Sequence, residues 1–445
     1  MLAGGWFLAL KGFPLPRGMR DIGVEEMAQR LQINKKIMEI LERYGFRLVE
    51  PSPIENLETL EAKCGPSIKD EIYWFEDKAG RKLGLRFDLT VGLARMVASR
   101  PDLTLPVKLA AISNMWRYDE PQFGRYRCFY QWDAEIFGSV EADADAEIIS
   151  LTVDVLKNVG LKSFEVRISS RKLVEGFLNS LNIVGEKVEA VLRIIDKYRK
   201  ISKEDFIGEL DKLGLNSQQT EKILGFVSVS GEYEKVLSTI LNYQIKNEKF
   251  LLGLGELEKL MESLKAFKKI EECFFDASIV RGIGYYDGVV FEVYDRVAKE
   301  VGAIVAGGRY DKLCKIFGRD LPATGVAGGI ERLMLTLEKN GVLEKPKPLM
   351  GVFVASANRR VHVKTLELVE RLRSWGIPAD FDLRNRSLTR QLEYADRLGF
   401  PYVLIVGERE LAEGKVKVRD MEKKFEEEVL IGKLKDFFVS RLKKG

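Results

Sequence analysis

The sequence predicts an α+β protein. Its first domain spans 1–345 and carries a mostly helical insertion at 181–269; a smaller α/β domain follows at 346–445. Three features predict this. Strand-like runs are interleaved with helical ones on both sides of the stretch 181–269. Within that stretch glycine thins out, Lys and Glu dominate, and the apolar spacing is helical throughout. Finally, Lys345-Pro346-Lys347-Pro348 reads as an extended spacer, because proline excludes a helix there. Beyond it the order is β-α-β-α-β, the pattern of a small separate α/β unit.

In chain order, residues 25–44 predict a helix with Met27, Leu31, Ile37, Ile40 and Leu41 on one stripe. Gly45 stands where a left-handed cap belongs. Residues 46–50 read as a strand closed by Pro51 and Pro53. Strand-like runs alternate with a short helix over 73–117, and 126–137 reads as a further strand. The helix over 143–159 has acidic residues in its first turn, which suits the dipole, and Gly160 at its end. After the insertion, strands are expected at 274–279, 289–294 and 303–306. A helix is expected to open near Gly328 and run to Asn340. In the second domain, strands are expected at 351–355 and 402–406, and helices at 363–374 and 388–398.

A chain of 445 residues can bury a full core without disulfides or metals. Its net charge of +4 excludes a uniformly basic coat and leaves room for a local basic surface. The cysteines Cys64, Cys128, Cys273 and Cys314 are far apart and form no C-x-x-C pair. That fits a reduced, cytoplasmic setting and argues against a cysteine zinc site. The apolar start, Met1 to Leu10, has no basic flank before it, so no signal peptide is expected; no apolar run reaches membrane-spanning length. The only histidine is His362. Catalysis through histidine triads or histidine-bound metals therefore has almost nothing to work with, and chemistry must run on carboxylates, arginines and backbone groups.

Two suggestive motifs fail on context. Gly282-Ile283-Gly284-Tyr285-Tyr286-Asp287-Gly288 is spaced one residue too long for a dinucleotide fingerprint and leads into a strand. Lys200-Ile201-Ser202-Lys203 resembles a K-M-S-K-S nucleotide-binding loop but lacks the upstream H-I-G-H motif that such a loop needs. A more coherent set lies in three other stretches. Arg117-Tyr118-Asp119-Glu120, a glycine-bearing loop with Arg125 and Arg127, and a returning strand through Gln131, Asp133 and Glu135 make a hairpin over a polyanion. Arginine's planar fork suits phosphate oxygens, and alternate residues of the strand share a face. Ala327-Gly328-Gly329-Ile330-Glu331-Arg332 lets backbone approach a nucleotide and offers Arg332 to a terminal phosphate. Pro53 follows a strand that a long helix precedes.

These stretches resemble motifs 2, 3 and 1, respectively, of class II aminoacyl-tRNA synthetases. Three more stretches narrow the resemblance to the histidyl-tRNA synthetase family. Arg86-Phe87-Asp88-Leu89-Thr90 resembles the family's R-x-D-L-T. Val280-Arg281-Gly282-Ile283-Gly284-Tyr285-Tyr286 resembles its histidine A motif, with Gly284 where the family usually has Asp. Ala306-Gly307-Gly308-Arg309-Tyr310-Asp311 resembles its histidine B motif. The likeness runs from about Pro16 to Val429 and includes a terminal domain similar to the anticodon-binding unit.

The resemblance implies an antiparallel-sheet catalytic domain and an enzyme that activates histidine with ATP and Mg²⁺, then esterifies tRNA(His). It assigns Arg117 and Arg281 as catalytic residues; Asp88, Leu89, Thr90, Arg117, Gln131, Glu135, Arg281, Tyr285 and Tyr286 to histidine; and Arg117, Asp119, Arg125 and Arg332 to ATP. No protein metal site and no membrane are implied, and a homodimer paired through motif 1 is. Three alternatives stay open on sequence: a non-catalytic regulatory paralogue that supports ATP phosphoribosyltransferase; a class II synthetase for another amino acid, such as proline, glycine or threonine; and a tRNA-binding module without catalysis, for which the ATP-site arginines would have no use.

Overall fold

A computed structural model describes residues 13–120, 126–281, 286–345 and 351–442, with side chains throughout except at 63 and 64. The apolar start, Arg125, Gly282, Gly284, Tyr285 and the two prolines of the spacer lie outside the described residues. The chain divides into two compact units, Met1–Glu344 and Lys345–Gly445.

The first unit is built on a nine-stranded sheet. Its centre is antiparallel: Val107–Trp116 pairs with Cys128–Phe137, which pairs with Ala323–Gly329. That strand pairs in turn with Ala303–Arg309, then Val289–Asp295 and Phe164–Ser170. Arg47–Leu48 adds in parallel at one edge, so the strand read over 46–50 shrinks to two residues beside Pro51. One face of the sheet is covered by helices, including Val24–Arg43, Ala142–Val159 and Glu248–Ala266. They share one core with Trp132, Ala134, Ile136, Val166 and Ile168. The opposite face carries Leu109, Ala111 and Met115 and leads to the helix Thr90–Ala98. Alternation along the strands therefore separates a helix-covered face from one left open for chemistry.

Two sequence expectations are corrected here. The first helix buries Arg30, Ile33, Ile37, Ile40 and Leu41, while Met27 and Leu31 are exposed. The inward stripe is displaced because the buried Arg30 is held by Glu331, so a charged residue takes a position that apolar counting gave to leucine. The helix expected to open near Gly328 begins at Ile330. Ala327, Gly328 and Gly329 instead end the strand Ala323–Gly329, which the sequence reading missed because five of its residues are glycine or alanine.

The stretch 181–269 folds mainly as helices: Glu186–Ile195, Lys203–Lys212, Ser217–Val227, Tyr233–Asn242 and Glu248–Ala266. Asn216 and Gln219 form a reciprocal capping box at the start of Ser217–Val227, satisfying backbone donors that the helix itself leaves open. In the second unit, Ala379–Phe381, Val352–Ser356 and Tyr402–Val406 are parallel neighbours. The antiparallel hairpin Lys415–Asp420 and Phe425–Leu430 extends that sheet. His362 opens a helix of this unit and is exposed. Among the described residues, no helix is long and apolar enough to cross a membrane.

Candidate active site

The open face of the large sheet forms the floor of a cavity of about 700 Å³. Asp88, Thr90, Arg117, Asp119, Gln131, Glu135, Arg281, Tyr286 and Arg332, singled out separately along the sequence, all line it. Leu89 does not: its side chain is fully buried in the apolar cluster with Leu93, Ala94 and Val97, so it anchors the segment and leaves Asp88 and Thr90 facing the cavity.

Glu135 lies at the pocket's floor and is almost wholly buried. Such a carboxylate is tolerated only where hydrogen bonds replace its water. Thr90 donates its hydroxyl to Oε1 at 2.8 Å, and the Tyr310 hydroxyl donates to Oε2. Gln131 donates to Asp133 at 2.7 Å, and Thr90 also reaches Asp133 at 3.4 Å. Tyr286 stands edge-on to Tyr310 with ring centroids 6.5 Å apart. Gly325 pairs with Glu135 across the strands, and a Cβ on it would fall on Oε2 of that carboxylate. The glycine is what leaves room for the acid. Beside this floor, burial and then the charge of Glu135 push the Cys314 thiol up to about 12, so it is a neutral packing group at ordinary pH.

The three arginines predicted from the sequence, Arg117, Arg281 and Arg332, reach the cavity from separate parts of the chain. Arg117 follows the strand Val107–Trp116; its Nε donates to the Phe87 carbonyl at 2.9 Å and its guanidinium lies 5.1 Å from the Phe129 ring centroid. Arg281 sits at φ +53°, a conformation that costs a non-glycine residue energy and is held by its surroundings. Its Nη1 pairs with Glu292 at 2.7 Å, and Tyr294 donates its hydroxyl to the same carboxylate. Arg332 lies in the first turn of Ile330–Lys339, with Nη1 donating to the Ala303 carbonyl at 2.8 Å. Its neighbour Glu331 accepts from the Tyr130 amide at 2.9 Å and pairs with Arg30 at 3.0 Å. Burial raises the Glu331 pKa above the usual carboxylate value.

Two motif arginines are structural. Arg86 is buried, donating to the carbonyls of Pro51 at 2.5 Å and Asn114 at 2.9 Å, and pairs with Glu50 at 2.8 Å. Arg309 is buried against Asp145 at 2.7 Å and the carbonyl of Ser139 at 2.8 Å. Sequence reasoning gave no site role to Tyr310, Gly325 or Arg193, all of which line the cavity. Tyr310 sat inside a quoted motif. Gly325 and Arg193 carried no local signal.

Such a site can bind a polyanion beside a small polar ring. The half-buried guanidiniums of Arg117, Arg281 and Arg332 supply fixed positive charge, and Gln131, Glu135 and Tyr286 supply directional partners. The oxygen donors on its wall come from carboxylates, hydroxyls and an amide, and neither histidine nor cysteine is among the described lining residues.

The family model described as histidyl-tRNA synthetase matches residues 18–333, and one described as anticodon binding domain matches 351–441. The chain is 37% identical over 409 residues to the histidine–tRNA ligase of Thermococcus kodakarensis, covering 91% of this chain and 93% of that one. It is 39% identical over 403 residues to the histidine–tRNA ligase of Aeropyrum pernix, covering 90% and 91%. Among solved structures, the histidyl-tRNA synthetase of Nostoc gives a TM-score of 0.82 at 29% identity, covering 97% of this chain and 99% of that one. A Bacillus halodurans protein described as an ATP phosphoribosyltransferase regulatory subunit/histidyl-tRNA synthetase gives 0.73 at 26% identity, covering 88% and 98%.

Proposed function

The chain belongs to the histidyl-tRNA synthetase family, and from that premise we propose how the residues of its cavity divide the family's reaction between them. The reaction has two steps. Histidine's carboxylate attacks the α-phosphorus of ATP, and the bond to pyrophosphate breaks to give histidyl-adenylate. A ribose hydroxyl at the 3′ end of tRNA(His) then attacks the activated carbonyl and releases AMP.

The attacking carboxylate is ionised at neutral pH, so the first step needs alignment and charge neutralisation rather than a general base. Arg117 and Arg281 hold the α-phosphate and the substrate carboxylate, as the catalytic pair. Arg332 takes the γ-phosphate and Asp119 the adenine side, with Arg125 expected on the same loop. Asp88 and Thr90 receive the α-ammonium; Gln131, Glu135 and Tyr286 read the imidazole, with Tyr285 beside them. Mg²⁺ would be held mainly by the phosphates, with few protein ligands, and the carboxylate and hydroxyl oxygens of the cavity wall suit such a hard cation. The cation supplies further neutralisation of phosphate charge. Two copies are proposed to pair through the region of motif 1, and a cytoplasmic location accords with the unpaired cysteines Cys128, Cys273 and Cys314.

One observation carries this reading: a buried acid, Glu135, gripped by Thr90 and Tyr310, lies in the same cavity as Arg117, Arg281 and Arg332. An ATP–pyrophosphate exchange assay tests it. Exchange should require histidine and ignore proline, glycine and threonine, because buried polar partners reject substrates lacking matching groups by up to ~10⁴ or more. Absence of histidine-dependent exchange would defeat the reading in favour of a regulatory protein; activation of another amino acid would move the specificity elsewhere.

A further inference from the structure

Among the arginines lining the cavity, Arg193 alone comes from the helical insertion. Its helix, Glu186–Ile195, is fastened to the catalytic sheet on both sides of it. One turn earlier, Glu189 pairs with Arg171, a buried residue whose amide donates to the Gly288 carbonyl at 2.9 Å. Six residues later, Arg199 pairs with buried Asp276 at 2.6 Å and donates to Ser278 at 3.1 Å. Between these attachments the helix buries Val191, Leu192, Ile194 and Ile195. Arg193 points the other way, exposed at the cavity's rim.

The neighbouring cations are matched within the chain: Arg171 by Glu175 and Glu189, Arg199 by Asp276, Lys200 by Asp196 at 3.2 Å. Arg193 has no carboxylate partner among the described residues, and the helix that carries it is anchored on both sides of it. An arginine without a carboxylate partner, carried by an anchored helix at the mouth of a polyanion site, is a ready phosphate ligand. The half-buried guanidiniums deeper in the cavity serve the triphosphate. An exposed one at the rim is placed instead for the strand that must thread past it.

We propose that Arg193 binds the phosphodiester backbone at the single-stranded 3′ end of the tRNA as that end enters the cavity. The insertion would then take a direct part in the second chemical step. This rests on the functional reading given above, and it assigns Arg193 to transfer rather than to adenylate formation.

The test uses the full-length enzyme and its Arg193→Ala and Arg193→Lys variants. Histidine-dependent exchange is measured beside single-turnover transfer from preformed histidyl-adenylate to tRNA(His). Arg193→Ala should lower transfer at least tenfold further than it lowers exchange, and Arg193→Lys should restore most of the difference. Removing one phosphate contact should also flatten the dependence of log(kcat/KM) for tRNA on log salt by about 0.7–0.9. Equal losses in exchange and transfer would place Arg193 on ATP and overturn the proposal, as would transfer that the alanine variant leaves unchanged. Failure of the underlying reading looks different, because the unmutated enzyme would then show no histidine-dependent exchange.

Discussion

Glu135 shows how much a single position can depend on a residue far away in sequence. Its carboxylate is held by Thr90 and Tyr310, and it occupies the space that a side chain on Gly325 would need. A Gly325→Ala substitution must therefore displace the acid, because the rest of that space is closed by the Ala134 carbonyl at 3.0 Å. Overpacking of this kind costs about 1–3 kcal/mol. Here the larger consequence is misplacement of a pocket group, for which losses of about 10²-fold are typical. The KM for histidine in exchange should rise by one to two orders of magnitude, with a smaller change for ATP. An unaltered histidine KM would show that Glu135 does not read the substrate. The acid itself was legible in the sequence, since Gln131, Asp133 and Glu135 alternate along one strand. Gly325 was not, because nothing local reveals which residue a distant strand will set opposite Glu135.

At the scale of elements, the insertion packs on the helix that precedes it through two glycines that no local pattern singles out. The helices Arg171–Ser180 and Glu248–Ala266 cross closely at Gly176 and Gly253. A Cβ on Gly176 would overlap the Phe250 amide nitrogen; one on Gly253 would overlap that of Leu173 and approach Ser170 Oγ at 2.9 Å. Glycine normally weakens a helix by roughly 1 kcal/mol, so its presence in both is offset by the close backbone packing it permits. Gly253→Ala should lower unfolding stability by about 1–3 kcal/mol in urea, where helix propensity alone would raise it. A gain in stability would mean that the two helices do not meet backbone to backbone at Gly253. The helices were readable from apolar period and caps, but a crossing point depends on which faces meet. The strand Ala323–Gly329 escaped for a related reason: its glycines signal a turn locally, and only pairing with Cys128–Phe137 makes them a strand.

For the molecule as a whole, two prolines mark a boundary near residue 345 in the sequence, and lysine- and glutamate-rich composition with helical apolar spacing sets the stretch 181–269 apart from its flanks. What sequence could not supply is how nine strands order themselves, since neighbours such as Ala323–Gly329 and Cys128–Phe137 are separated by most of the unit. That order decides the division of labour. Every described residue lining the cavity lies between Ser67 and Arg332, within the first unit. The second unit has apolar clusters of its own, around Val352, Val354, Leu404 and Phe438 and around Phe353, Phe400 and Val403. A chain cut after Glu344 therefore loses none of the groups assigned to histidine or ATP, and no core cluster of the first unit. It should retain histidine-dependent exchange within about tenfold, because adenylate formation depends on preorganised charge already present in that unit. Aminoacylation should fall much further, by about 10²-fold or more in kcat/KM for tRNA, because contacts spread over a separate RNA-binding unit contribute through linkage as well as affinity. Measuring both reactions on one preparation distinguishes loss of recognition from loss of fold. If exchange disappeared while the shortened chain stayed folded, the first step would need the second unit, and the assignment of adenylate chemistry to the first unit alone would be wrong.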